Sequence, residues 1–208
     1  FFAFFNAHGA LTKLPEGSFD TSHITAVGDY FFNGFNNHGA LTKLPKGSFD
    51  TSHITAVGEG FFIGLFFVGA LTYLPIYSFK LSNNLTTVGD RFFAFFNAHG
   101  ALTKLPEGSF DTSHITAVGI EFFNSFNRNG ALTSLPGSFK FPSLNQTDAS
   151  GYDNFLYAFS SYATLDLGEG RTILDIIGEC AEPNEQRFTF SSNQPGYYDS
   201  RLGANWQG

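Results

Sequence analysis

The sequence predicts a β-rich, right-handed solenoid of about five 30-residue units, with short helical turns and a β-rich C-terminal cap. Three observations predict it. The stretch at residues 31–60, FFNGFNNHGALTKLPKGSFDTSHITAVGEG, recurs whole or altered five times before residue 152, and a fixed period of this length marks stacked supersecondary units. Residues 1–28 and 92–119 are identical, residue for residue. Phenylalanine occurs 28 times in 208 residues, and such an excess needs a regular place to be buried, which stacked repeats supply.

The units divide the chain at 1–30, 31–60, 61–91, 92–121 and 122–151, leaving 152–208 as a degenerate coil and cap. Within unit 2, Phe31, Phe32 and Phe35 have the spacing of one helical turn with an apolar face. Gly39 ends that turn, where a left-handed residue is expected. Ala40 to Leu44 is a short extended segment, and Pro45 ends it by removing a ladder donor. Gly47-Ser48 turns the chain, and Phe49 points back inside. Asp50-Thr51-Ser52 is a turn whose side chains can bond their own backbone. His53 to Val57 is a second short strand with Ile54 and Val57 inward, and Gly58 closes the unit. A 30-residue unit cannot bury these apolar side chains alone. Stacked units can, with columns of Phe as the spine. At about 4.8 Å per coil, five coils span roughly 25 Å.

Phe49-Asp50-Thr51-Ser52-x-Ile54-Thr55-x-Val57, the Phe-Phe-x-x-Phe element and Leu-Thr-x-Leu together resemble the BspA-like leucine-rich repeats of bacterial surface proteins. The likeness covers about 145 of the 208 residues. These units run to 30 residues, longer than that family's repeat, and Asn36 follows Phe35 where the family usually has Cys nearby. The resemblance implies a secreted or cell-surface solenoid used for adhesion or protein binding.

Composition narrows the function. The net charge of −7 argues against a nucleic-acid partner, which favours clustered Lys and Arg. No run of about 20 apolar residues offers a membrane span. The chain lacks methionine and begins within the repeat pattern, so it reads as a fragment or processed product. A single cysteine, Cys180, excludes an intrachain disulfide framework and reads as a small hydrophobe. Residues 152–208 carry 8 acidic and 3 basic side chains, an acidic balance expected of a solvated surface.

Recurrent polar residues form columns. His8, His38 and His99 are interrupted by Val68 and Asn129; His23, His53 and His114 by the asparagines at 83 and 84. Interrupted columns without a fixed further ligand do not read as metal sites. Asp20, Asp50 and Asp111 give way to Lys80 and Lys140, so an Asx-type turn explains them better than calcium. Ser, His and Asp recur in DTSH, but adjacency is not triad geometry. No phosphate loop or nucleophile elbow occurs, and neither an enzyme nor a cofactor is expected. Thr12, Thr42, Thr72, Thr103 and Thr133 form an unbroken column that suits exposed strand positions. Asn84 and Asn145 match the glycosylation pattern Asn-x-Thr.

Unit 3 departs from the others in one direction. Phe66, Phe67, Val68, Tyr73, Ile76 and Tyr77 replace residues that are mostly polar or small in the other units. If these positions face solvent, an apolar, aromatic patch of this kind marks an interaction site, and these six are the candidate interface; local repacking around the extra residue of this 31-residue unit, or cover by the cap, is the alternative. The expected function is therefore non-catalytic: binding or adhesion at the cell surface or outside the cell, with a protein partner. A self-assembling filament or coat subunit is the alternative, since open contacts between like units form fibres. A glycan-binding cap is a further alternative, on the late cluster Tyr152, Tyr157, Tyr162, Tyr197, Tyr198 and Trp206.

Overall fold

The computed structural model describes residues 2–76, 78–108 and 112–139. Tyr77, Asp111, Lys140, Asn145, Cys180 and the aromatic cluster of the expected cap lie outside the described residues. Regular secondary structure is sparse. Strand β1 (Phe49–Thr51) pairs in parallel with β2 (Phe79–Leu81), and β3 (Thr87–Val88) pairs in parallel with β4 (Ala117–Val118). The partners are equivalent positions of successive units: Phe49 faces Phe79, and Val88 faces Val118. Single parallel bridges join Ala26 to Ala56 and Lys104 to Ser134. Backbone bonds therefore follow the sequence period, residue by residue, from unit to unit.

The Phe-Phe-x-x-Phe segment is not the expected helical turn, and no described residue is helical. In unit 2 the amides of Asn33, Phe35, Asn37 and Gly39 each bond the carbonyl three residues back. The intervening amides leave the unit: Phe32, Gly34 and His38 donate to Phe61, Ile63 and Phe67 of unit 3, and Asn36 donates to Phe5 of unit 1. Helical i→i−4 bonds would consume those amides. Here they stitch units together, and the segment becomes a run of overlapping β-turns.

Such turns demand left-handed residues, and these occur in columns. His8, His38, Val68, His99 and Asn129 have φ between 50° and 54°. Gly34 and Gly64 share a second column with Phe4, Phe95 and Ser125. Asn is among the few residues that occupy this region at low cost, and β-branched Val68 is the poorest fit. Val68 is also exposed, so little packing opposes its replacement. Val68→Asn is expected to raise stability by about 1 kcal/mol, a thermal midpoint gain of about 2–4 °C for a chain this size. A calorimetric scan that shows no gain would count against the left-handed column.

Side chains turned inward stack in register. Phe2, Phe32, Phe62, Phe93 and Phe123 form one near-parallel column with ring centroids 5.5–5.7 Å apart. Phe31, Phe61, Phe92 and Phe122 form a second, and the two columns meet edge to face, as at Phe31–Phe32 (4.8 Å, 89°). Both geometries suit the ring quadrupole. In Leu-Pro-x-Gly-Ser the Ser hydroxyl donates back to the Pro carbonyl, as Ser48 does to Pro45 at 2.5 Å. The extra residue of unit 3 is absorbed between Leu81, which still faces Thr51, and Leu85, whose amide closes a turn onto Ser82.

Candidate interaction surface

The six unit-3 residues do not share one face. Phe66 is 1% exposed and cannot line a surface patch. It fills the interior position that Asn6, Asn36, Asn97 and Asn127 hold in the other units. Each of those asparagines closes its own unit: the amide nitrogen donates to the carbonyl of the leucine five residues on, and the amide oxygen accepts that leucine's N–H. Neighbouring asparagines also bond each other, Asn6 to Asn36 at 2.8 Å and Asn97 to Asn127 at 2.9 Å. Phe66 interrupts this buried ladder. Leu65, beside it, stands where the other units have Phe, and Phe66 meets Phe79 and Phe96 edge-on. The smaller Leu65 offsets part of the volume that Phe66 adds, and the pair repacks locally inside the core.

Phe67 and Val68 lie together at the end of the turn run. Phe67 is half-buried between His38 (5.8 Å) and His99 (5.9 Å), with Phe95 at 6.4 Å, all edge-on. His38 stacks face to face on His8 at 4.8 Å and 6°. Parallel imidazoles stack on one another, whereas a shared ion needs converging lone pairs. Among the described residues no group of three or more His, Cys, Asp or Glu could hold a metal.

Tyr73 and Ile76, exposed by 58% and 47%, lie next to the buried Leu71 and Leu74 along the chain. By register Tyr73 lies in the row of Lys43 and Lys104, and Ile76 continues the row of Glu16 and Lys46. Next to that row, Glu16, Gly17, Lys46, Gly47, Asp50 and Lys80 line an open groove of about 670 Å³. Its floor carries both signs of charge. Partial burial pushes the Asp50 carboxyl up, but the Ser52 hydroxyl and amide, with Lys80 nearby, outweigh this and hold it below the usual carboxylate range. The Ser22 hydroxyl and amide do the same for Asp20. Both aspartates close the Asx turn expected of them, through bonds of 2.9 and 3.0 Å to the serine amide two residues on.

Elsewhere on the flank, Tyr30 donates to the Glu59 carboxylate, which raises the tyrosine's pKa. Arg91 pairs with Glu121 at 2.6 Å across half-buried side chains.

Two features escaped the sequence reading. The asparagine column is visible as a residue recurring five positions before the leucine in units 1, 2, 4 and 5, but the spacing alone does not say that it faces inward. The His–Phe–His row needed a contact between neighbouring units to be seen. No helix among the described residues is long and apolar enough to cross a membrane. No family model, no curated protein and no solved structure matches this chain.

Proposed function

We propose that this chain is a β-rich, leucine-rich-repeat-like solenoid of the BspA-like kind that binds a protein partner at the cell surface or outside the cell, without catalysis. Unit-to-unit pairing at the sequence period and the stacked phenylalanine columns support the solenoid. The observation that carries the binding role is the exposure of Tyr73 and Ile76 within rows that are charged in units 1, 2 and 4. An aromatic and an aliphatic anchor, with Lys43 and Lys104 on either side of Tyr73 by register, Lys46 and Glu107 on either side of Ile76, and a groove of mixed charge beside them, have the make-up of an interface hot spot with a polar rim. A partner with an apolar centre, acidic groups opposite the lysines beside Tyr73 and a mixed-charge edge beside Ile76 fits it.

The direct test is the double variant Tyr73→Lys/Ile76→Glu, which restores the residue types of the neighbouring units. On an array of extracellular proteins, the ligands bound by the natural chain are expected to bind the variant at least tenfold more weakly, about 1.4 kcal/mol. Both side chains are exposed, so the thermal midpoint is expected to stay within a few degrees. Equal array signals from the two chains would refute the assignment.

A further inference from the structure

Unit 3 is one residue longer than its neighbours, and the extra residue falls in the turn before β3. Units 1, 2 and 4 read His-Ile-Thr there, at 23–25, 53–55 and 114–116. Unit 3 reads Asn83-Asn84-Leu85-Thr86. Ser82 and Leu85 stay buried on either side of the two asparagines, at 2% exposure each, so the added length goes outward. Asn83 and Asn84 form a turn and both are exposed. The backbone amide of Asn84 donates to the Ser82 hydroxyl at 3.3 Å, and that of Leu85 to the Ser82 carbonyl. The side-chain amide of Asn84 has no hydrogen-bond partner among the described residues.

The insertion also releases the threonine that follows. In units 2 and 4 this threonine ties its unit to the one before. Thr55 donates both its amide and its hydroxyl to the Thr25 carbonyl, and Thr116 does the same to the Thr86 carbonyl. Thr86 is exposed, and neither its amide nor its hydroxyl donates to a described residue. Units 1 and 2 bridge nearby at Ala26–Ala56, and units 3 and 4 pair at β3–β4. Among the described residues, no backbone bond joins 83–88 to unit 2. The bulge therefore presents an Asn-x-Thr tripeptide whose amide and hydroxyl are both exposed and unengaged.

We propose that Asn84 is a site of N-linked glycosylation. The reaction takes an accessible asparagine amide with a hydroxyl two residues on for the transferase to recognise, and only unit 3 of the four described turns supplies both. The Asn84 side-chain nitrogen attacks the anomeric carbon of an oligosaccharide carried on a polyprenyl diphosphate. A C–N bond forms, the C–O bond to the diphosphate breaks, the lipid diphosphate leaves and the amide nitrogen gives up one proton. The attached glycan displaces no buried group, because Ser82 and Leu85 hold the bulge from below. The proposal rests on the extracellular part of the proposed function and not on the Tyr73–Ile76 surface.

The test is secretion of the full 208-residue chain, behind a cleavable signal sequence, from an animal cell line that N-glycosylates. Trypsin cleaves after Lys80 and Arg91 and isolates residues 81–91. Peptide N-glycosidase in heavy-oxygen water then converts each occupied asparagine to a labelled aspartate. Mass spectrometry is expected to find the label at Asn84 in at least about half of the secreted chains. Thr86→Ala is expected to lower that occupancy at least about tenfold, whereas Thr86→Ser and Asn83→Gln keep it. Secreted chains without label at Asn84, label at Asn145 alone, or label at Asn84 indifferent to Thr86→Ala overturn the proposal. The added signal supplies the route, so those results count against the site and leave the extracellular reading standing. That reading falls separately, if fractionation of the source cells places the natural chain inside them.

Discussion

Asn97→Ala is expected to destabilise the chain by about 3–5 kcal/mol, far more than a typical surface asparagine. Asn97 is completely buried. Its amide nitrogen donates to the Leu102 carbonyl (3.0 Å) and to Asn127 (2.9 Å), and its oxygen accepts the Leu102 N–H at 3.3 Å. Truncation leaves the Leu102 N–H and carbonyl, both interior, without these partners. Each buried polar group stranded in this way costs about 1–3 kcal/mol, and the bond to Asn127 goes as well. Asn6→Ala is the internal control. Asn6 makes the same bonds to Leu11 at the exposed end of the stack, where water replaces the lost partner, so a cost of about 1 kcal/mol is expected. Urea denaturation of the two variants measures the difference. Equal losses would mean that the ladder contributes no more inside the stack than at its edge.

Unit 3 shows what it takes to do without the asparagine. Phe66 fills the site with a ring, and Leu65 shrinks beside it to make room. The Leu71 amide has no asparagine oxygen to match those of Leu41 and Leu102. An apolar side chain of sufficient volume thus substitutes where alanine does not, because it fills the space that an alanine would leave empty. Replacing a polar residue with an apolar one reads as an exposed patch when the polar residue is assumed to face solvent. Here the polar residue faces inward and is satisfied by its own unit and the next.

What could be read from the sequence is what a period encodes. The spacing placed Phe32, Phe35, Leu41, Leu44 and Ile54 inward, and all five are buried. It could not choose between a helical turn and a run of β-turns at Phe31 to Phe35. The i, i+1, i+4 pattern serves both. The choice is made by the amides of Phe32, Gly34 and His38, which bond residues 29 positions away, and no local pattern reports that. Gly34 and Gly64 carried a hint, since glycine at alternate turn positions permits left-handed backbone. Phe4 and Phe95 in the same column masked it. The unit-3 surface was legible in part: Tyr73 and Ile76 are exposed, as the charged residues of their rows in units 1, 2 and 4 suggest. Phe67 and Val68 stand apart with the histidines, and only the three-dimensional stacking separates the two groups.

Those same columns set the largest hydrophobic term. Phe93→Ala is expected to cost about 3–5 kcal/mol, and Phe93→Leu less than about 2. The Phe93 ring is fully buried. It stacks on Phe62 at 5.5 Å and Phe123 at 5.7 Å, and meets Phe92 (4.7 Å) and Phe122 (5.6 Å) edge-on. These neighbours belong to units 3, 4 and 5, so a cavity at Phe93 opens two unit-to-unit interfaces at once. Phe2→Ala, in the same column but at the half-exposed edge, opens one interface and is expected to cost about half as much. The decisive readout is cooperativity. In a stack stabilised by nearest-neighbour interfaces, weakening a central one lets the two sides unfold separately. Phe93→Ala is then expected to lower the denaturant m-value and broaden the transition, while Phe2→Ala shifts the midpoint and keeps the slope. Parallel losses with unchanged slopes in both variants would mean that the aromatic columns stabilise the units one by one and do not couple them.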